Sequence, residues 1–487
     1  MIYSKSKNYT LYLGKMEDEL SNIDDNSIGS IVTDPPYELG FMGKSWDSSG
    51  VAFQKSTWEH CYRVLKPGGY LLAFGGSRTY HRIACAIEDA GFEIRDTVMW
   101  LYGSGFPKSM SLGKVIEGKQ VLGSANVRDI KKLDGEKEQV SCGFNKTGKE
   151  TGYRDKEYEM YKTNVNYTTE LGKKWQGWGT ALKPSFEPII VARKPFKGSL
   201  VDNVIEYGVG GINIDECRVG FENGETNRSI DRYNSTPQKG NNGWEHKNRG
   251  AHFNEDTKKS MQLGRFPANT ILTYDETDFD EVCGGFPKSK GSISQNVYTK
   301  TPKYYGNALL ESSTKRFPYQ EGYNDNGSAS RYFYCAKASK KDRDEGLDEF
   351  ETKQCVGGGG GIGNYLEDVN SASGKFGSEK APHKNTHPTV KPTELMQYLI
   401  RLVTPKGETV LDPFMGSGST GKAVMFENNE RNANYKFIGV EMTEEYLPIC
   451  EKRIEFAQGY VSIDEIDDKK VEKKVEKTPT CVKESLW

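Results

Sequence analysis

The chain has 487 residues, an apolar share of 35%, 53 glycines and a formal net charge of −2. That is length for two or three domains around a sizeable core, and the near-neutral balance excludes a uniformly basic nucleic-acid binder, so any such surface must be local. Nine cysteines with no Cys-x-x-Cys pair, and only six histidines, argue against a disulfide framework or a zinc site. No apolar run approaches the ~20 residues of a membrane span, and the opening residues lead into no signal core, so a cytoplasmic, metal-free protein is expected.

In chain order, Leu11–Leu13 reads as a short strand and Met16–Leu20 as a helical turn or two. The mostly apolar run Ile28–Val32 reads as a buried strand that breaks off at Asp34-Pro35-Pro36-Tyr37. Residues 40–50 form a loop with Phe41, Met42 and Trp46, placed to cover whatever lies beyond the strand. A helix follows over Thr57–Leu65, stopped by a turn at Lys66-Pro67-Gly68-Gly69. Tyr70–Phe74 is a buried strand, Thr79–Ala90 a helix and Thr97–Tyr102 a strand, an alternation typical of a doubly wound α/β sheet. The rhythm then breaks. Residues 108–175 are polar, with excess positive charge and interleaved aromatics, which suits either a solvated loop or a phosphate-tracking surface. Pro188–Arg193 is again a strand. Residues 201–380 are rich in Gly, Asn and Ser, with short strands at Ala268–Thr273 and Arg331–Cys335 and a glycine run, 357–361, that reads as a hinge or linker. Order returns with a helix at Thr393–Val403, a strand at Thr409–Leu411, a helix at Thr420–Phe426, a strand at Phe437–Val440 and a helix at Glu444–Phe456. Residues 461–487 form a charged tail expected to be disordered.

Two stretches carry chemistry. Pro35 and Pro36 lack N–H groups and have φ fixed, so the backbone after Asp34 is stiff and offers only carbonyls. A carboxylate and a carbonyl aimed at one point accept both hydrogens of an amino group on a planar ring, and Tyr37 can stack on that ring. An ordinary strand-to-turn exit is the alternative. The second stretch, Asp412-Pro413-Phe414-Met415-Gly416-Ser417-Gly418-Ser419-Thr420, links a strand to a helix, where glycines let a ligand approach the backbone and the helix start. Gly416–Lys422 spells Gly-x-x-x-x-Gly-Lys, a phosphate loop, but Ala423 stands where that loop needs Ser or Thr for Mg²⁺. Glu441 ends the next strand, where an acid takes ribose hydroxyls. An adenine, a ribose and a cationic tail without phosphates fit this acid-framed site, and S-adenosylmethionine (SAM) is such a molecule.

Together these residues resemble the β arrangement of amino-methylating DNA methyltransferases, in particular phage-type site-specific DNA methylases. Asp34–Tyr37 matches the catalytic motif, Asp412–Ser419 the cofactor motif, and Phe437–Glu441 the ribose-binding strand. His387-Pro388-Thr389-Val390-Lys391-Pro392 is similar to the segment that closes over the cofactor's methionine end, which implies cofactor contacts for Thr386, His387 and Lys391. Residues 65–69 and 178–184 also look like the family. One departure is Gly14-Lys15, where the family often has Gly-Asp near the adenine; Glu17, Asp18 or backbone is left for that contact.

The resemblance implies an α/β fold: a Rossmann-like SAM-dependent methyltransferase sheet with helices on both faces, plus a large inserted target-recognition region. The expected division is 1–200 as the catalytic half with the basic insert 108–175, 201–380 as target-recognition region, and 381–460 as the SAM-binding half. The implied activity is methylation of N6 of a flipped-out adenine in double-stranded DNA, with SAM as cofactor. Cytosine-N4 methylation and a non-catalytic DNA-binding subunit are the alternatives. Association with the nucleoid is expected, and a homodimer and a cognate restriction enzyme are left open.

Overall fold

The computed structural model describes residues 1–40, 45–102, 109–125, 134–140, 160–220, 263–274, 333–337, 341–352 and 384–459, with short strand pieces at 288–289, 303–305, 308–310 and 327–328. Phe41, Met42, the glycine run 357–361 and the charged tail lie outside the described residues.

Among the described residues, ten strands form the main sheet: β1 (Ile2–Lys5), β2 (Tyr9–Leu13), β3 (Ile28–Thr33), β4 (Leu65–Phe74), β5 (Glu93–Tyr102), β6 (Phe186–Arg193), β7 (Thr270–Tyr274), β8 (Tyr334–Lys337), β9 (Thr409–Asp412) and β10 (Lys436–Glu441). Their spatial order is β1-β2-β10-β9-β3-β4-β6-β5-β7-β8. The central run β2-β10-β9-β3-β4 is parallel, and β6 lies antiparallel between β4 and β5. Strands β7 and β8 come from the 201–380 interval and pair parallel at the sheet's edge, so that interval supplies part of the sheet. Tyr334 of β8 stacks on Tyr398, centroids 3.9 Å apart.

Alternation along the strands sends side chains to two separate cores. Val32, Leu72, Phe74 and Val410 face one side, against α7 (Thr393–Val403), α8 (Ser419–Arg431) and α9 (Leu447–Gly459). Ile31, Leu71, Ala73 and Leu411 face the other, against α1 (Met16–Leu20), α2 (Lys55–Val64) and α3 (Tyr80–Asp89); α4 (Leu112–Leu122), α5 (Glu170–Lys174) and α6 (Leu200–Tyr207) come between α3 and α7 in the chain. Leu395, Leu399 and Ile400 of α7 are fully buried, each stabilising the fold by about 1.5–3 kcal/mol. The expected doubly wound sheet with helices on both faces is present.

One sequence expectation is corrected. Lys66–Gly69 is not a turn after a helix but the bulged beginning of β4, whose register against β3 jumps between Leu65 and Tyr70. The extra residues stay in the ladder because β6 extends to meet them: Gly68 N–H donates to Lys194 O, and Lys194 N–H to Gly69 O. Gly68 sits at φ +80°, and a Cβ there would meet Asn203 Nδ2.

Candidate active site

Strands β3 and β9 are parallel neighbours, yet the chain leaves β3 towards α2 on one face and β9 towards α8 on the other. A crevice therefore opens beyond their C-terminal ends, the place where open α/β sheets hold ligands. It contains a cavity of about 630 Å³. Asp34–Tyr37, Asp412–Ser417, Ser419, Thr420, Glu441, His387 and Lys391 all line it, although they come from opposite ends of the sequence. Gly418 and Thr386 do not. Gly418 (φ +74°) packs instead against the Cys450 backbone, where a Cβ would come within 2.9 Å of Cα.

On the cofactor-motif side, Asp412 is locked in place. Its Oδ1 accepts from Thr33 Oγ1 at 2.7 Å and from Phe414 N–H at 3.1 Å, and its Oδ2 from Thr420 Oγ1 at 2.5 Å. Burial raises its carboxyl to about 6, against the pull of those hydrogen bonds. Glu441 accepts from Gly416 N–H at 2.9 Å and Thr443 N–H at 2.7 Å, which ties the end of β10 to the glycine loop. Burial raises its carboxyl too. Gly416 sits at φ +55°, where a Cβ would come within 2.9 Å of His387 Nε2. His387 stands edge-on to Tyr446, centroids 4.6 Å apart, and burial pushes it down to about 4, so the ring is neutral at pH 7. Of the acids near Gly14-Lys15, Glu17 reaches the cavity wall and Asp18 is not among its lining.

On the other side, Asp34 Oδ2 accepts from Lys391 Nζ at 2.6 Å. Asp34 Oδ1 is buried and has no protein donor among the described residues. Such an acceptor costs stability unless a ligand supplies a hydrogen. The family resemblance puts Lys391 at the cofactor's methionine end; it lies on the cavity wall with its ammonium paired to Asp34. Tyr37 donates its hydroxyl to Glu187 Oε2 at 2.7 Å. Sequence reasoning misses Glu187, whose one signal is a carboxylate at the head of an apolar strand.

The phosphate-loop spelling is an impostor in space as well. Lys422 is fully buried and points to Asp342 at 2.5 Å and Glu345 at 3.0 Å, with no part in the cavity lining. Arg453 Nη1 donates to Ser417 O, Ser417 Oγ and Ser419 Oγ, holding the loop from behind.

The family model for N6/N4-type DNA methylases matches residues 28–452. The chain belongs to the DNA methylase family. That span includes both motif regions and everything between them. Among curated DNA methylases, the chain is 24% identical to the type II methyltransferase M.HindIII of Haemophilus influenzae over 237 residues, 40% of this chain and 62% of that protein. It is 38% identical to the type II methyltransferase M2.DpnII of Streptococcus pneumoniae over 93 residues, 19% of this chain and 32% of that one. It is 36% identical to the DNA adenine methyltransferase YhdJ of Escherichia coli K12 over 74 residues, 15% and 23% of the two chains. The chain thus spans less than two thirds of each of these relatives. Solved structures that align with it include PvuII DNA methyltransferase (cytosine-N4-specific), at 12% identity and TM-score 0.36 over 93% of this chain and 90% of the other. M1.HpyAVI aligns at 12% identity and TM-score 0.32 over 92% and 98%. Scores this low add no weight to the family match. Among the described residues, no helix is long and apolar enough to cross a membrane, and no three His, Cys, Asp or Glu side chains are grouped to hold a metal ion.

Proposed function

We propose that this DNA methylase transfers the methyl group of SAM to the exocyclic N6 of an adenine flipped out of double-stranded DNA. The observation that carries the reading is Asp34, a carboxylate on the wall of the cavity that Asp412 and Glu441 also line, whose buried Oδ1 has no protein donor among the described residues. An amino group on a flipped base supplies the missing hydrogen, and the Pro35 carbonyl is the second acceptor. Family membership supports methyl transfer, and aspartate at position 34 favours adenine by resemblance.

The residues present fit SAM. Glu441 is placed for ribose hydroxyls, the left-handed Gly416 lets a ligand approach the loop backbone, and the acid-framed cavity suits a cationic tail without phosphate. When bound, SAM supplies a methyl group on a sulfonium: sulfur leaves as a neutral thioether while the amine nitrogen gains the carbon and releases a proton. The chain's own contribution is positioning and electrostatics. Hydrogen bonds to Asp34 and the Pro35 carbonyl draw the nitrogen lone pair out of the ring, and Tyr37 provides the stacking face. The target-recognition role belongs to the 201–380 interval, with the basic insert 108–175 holding phosphates.

The test is transfer of tritiated methyl from SAM to unmethylated genomic DNA, followed by digestion to nucleosides and chromatography. Label in N6-methyldeoxyadenosine, abolished by Asp34→Ala, is expected. Label in N4-methyldeoxycytidine overturns the choice of adenine. Unlabelled DNA overturns the reading as a whole.

A further inference from the structure

The proposed role of Asp34 uses only one of its oxygens. The other belongs to a compact charged group drawn from separate elements. Lys391, in the loop before α7, places Nζ 2.6 Å from Asp34 Oδ2 and 3.5 Å from Glu187 Oε2. The lysine side chain is 10% exposed. Its ammonium stands 5.3 Å from the Tyr37 ring centroid, 5.0 Å from Phe74 and 5.9 Å from Trp100. Glu187, on β6, also accepts from Tyr102 Oη at 3.2 Å on Oε1, besides Tyr37 on Oε2.

We infer that Lys391 and Glu187 are positioning residues for methyl transfer, a clamp that orients Asp34 and Tyr37 towards the target base. The inference rests on the proposed methyl-transfer reading. A carboxylate rotates broadly about its last torsion, so nothing in Asp34 itself fixes the orientation of its carboxylate plane. A charge-assisted hydrogen bond at 2.6 Å fixes it: Oδ2 is held by the ammonium, and Oδ1, buried and without a protein donor among the described residues, keeps its acceptor capacity. Glu187 does the same for the ring. With Oε2 on the Tyr37 hydroxyl, the stacking face is fixed relative to the acceptor. Three aromatic faces around the ammonium replace part of its lost hydration. Burial opposes the charge on Lys391, but Asp34 and Glu187 outweigh it and hold the ammonium above the ordinary lysine value. Asp34 already pairs with the ammonium, so the distinct contribution of Glu187 is to anchor the hydroxyls of Tyr37 and Tyr102. Without Lys391, two carboxylates would face each other with no cation between them.

The experiment measures kcat and KM for SAM in the full chain and in Lys391→Met, Glu187→Gln and the double variant. Lys391→Met should lower kcat about 100-fold, the scale of a ~1 Å misplacement near the chemistry, with KM for SAM within about twofold. The double variant should recover about tenfold of that loss, since the facing carboxylates are gone; a merely structural lysine gives no such recovery. A raised KM for SAM with unchanged kcat in Lys391→Met overturns the clamp and makes Lys391 a cofactor ligand. Losses in the double variant that multiply those of the two singles overturn it as well. If Lys391→Met does not fold, Glu187→Gln decides alone: a fall in kcat of about tenfold at constant KM is expected, and an unchanged kcat overturns the clamp. Active wild type with unaffected variants refutes the clamp alone, whereas wild type that transfers no methyl refutes both readings.

Discussion

His387 and Asp412 respond to acid in opposite senses. Burial holds His387 at about 4, below its ordinary 6.5. The stability it contributes is complete above pH 6.5 and is lost as pH falls towards 4. Asp412 is raised from 3.8 to about 6, so its contribution is complete below pH 3.8 and is lost as pH rises through 6. Between pH 4 and 6 the two largely offset each other. Replacing His387 by Gln removes one side of that balance. Relative to wild type, the variant should gain about 2 kcal/mol at pH 4.5 compared with pH 7.5. Urea unfolding at both values measures this, and a variant that tracks wild type at each would show that the imidazole is not held neutral. Glu441 gives a second prediction at this scale. Its carboxylate fixes the Gly416 and Thr443 amides and is assigned the ribose. Wild type should bind SAM with micromolar-scale affinity, ~−8 kcal/mol, and Glu441→Ala should weaken binding by about 1.5–3 kcal/mol. Calorimetry with unchanged affinity would remove Glu441 from the ribose assignment.

The turn around Asp342 is pinned to α8 and α9 by buried charges: Lys422 to Asp342 and Glu345, and Arg453 to the Asp342 carbonyl. Arg343 carries the link onward, donating to Asn385 O and to His387 O at 2.6 Å. Lys422→Met leaves two carboxylates facing an apolar side chain and should cost about 3 kcal/mol. A loss below ~1 kcal/mol in urea unfolding would place these charges in the class of surface pairs. Elements with a strong local signal are legible in the sequence. Helix α7 runs over the residues its apolar spacing marks, and β3, β9 and β10 end where the acids of the motifs stand. What stays hidden is decided by distant partners. Lys66–Gly69 has the composition of a turn, but Lys194, over a hundred residues later, draws it into a strand. Glu187 offers only a carboxylate at the head of an apolar strand; its meaning comes from Tyr37 and Lys391, each far along the chain. Resemblance alone puts Lys391 at the cofactor, and only the packing of the loop before α7 against β3 brings its ammonium to Asp34.

Across the whole molecule, DNA binding should divide between the basic insert and the 201–380 interval. Lys173 and Lys174, at the end of the short helix Glu170–Lys174 in that insert, are not buried. Replacing both by alanine should weaken binding equally on all sequences and reduce the salt slope by about one for each phosphate no longer neutralised. Exchanging 201–380 for the same region of a relative should change the methylated motif but not the methylated base. A lysine variant with an altered motif and an intact salt slope would contradict this division. The strand order also bears on biosynthesis. The central partners of β2 and β3 are β10 and β9, made of residues 409–441, so the first half of the sheet is translated long before the strands that complete it. At about 5–20 residues per second the wait is on the order of 20–80 s. During it, the apolar edges of β2 and β3 stand open on the ribosome, exposed to mispairing with other nascent chains. Both motifs meet only after β9 and β10 have emerged, so a chain truncated before residue 409 holds Asp34–Tyr37 on an unfinished sheet.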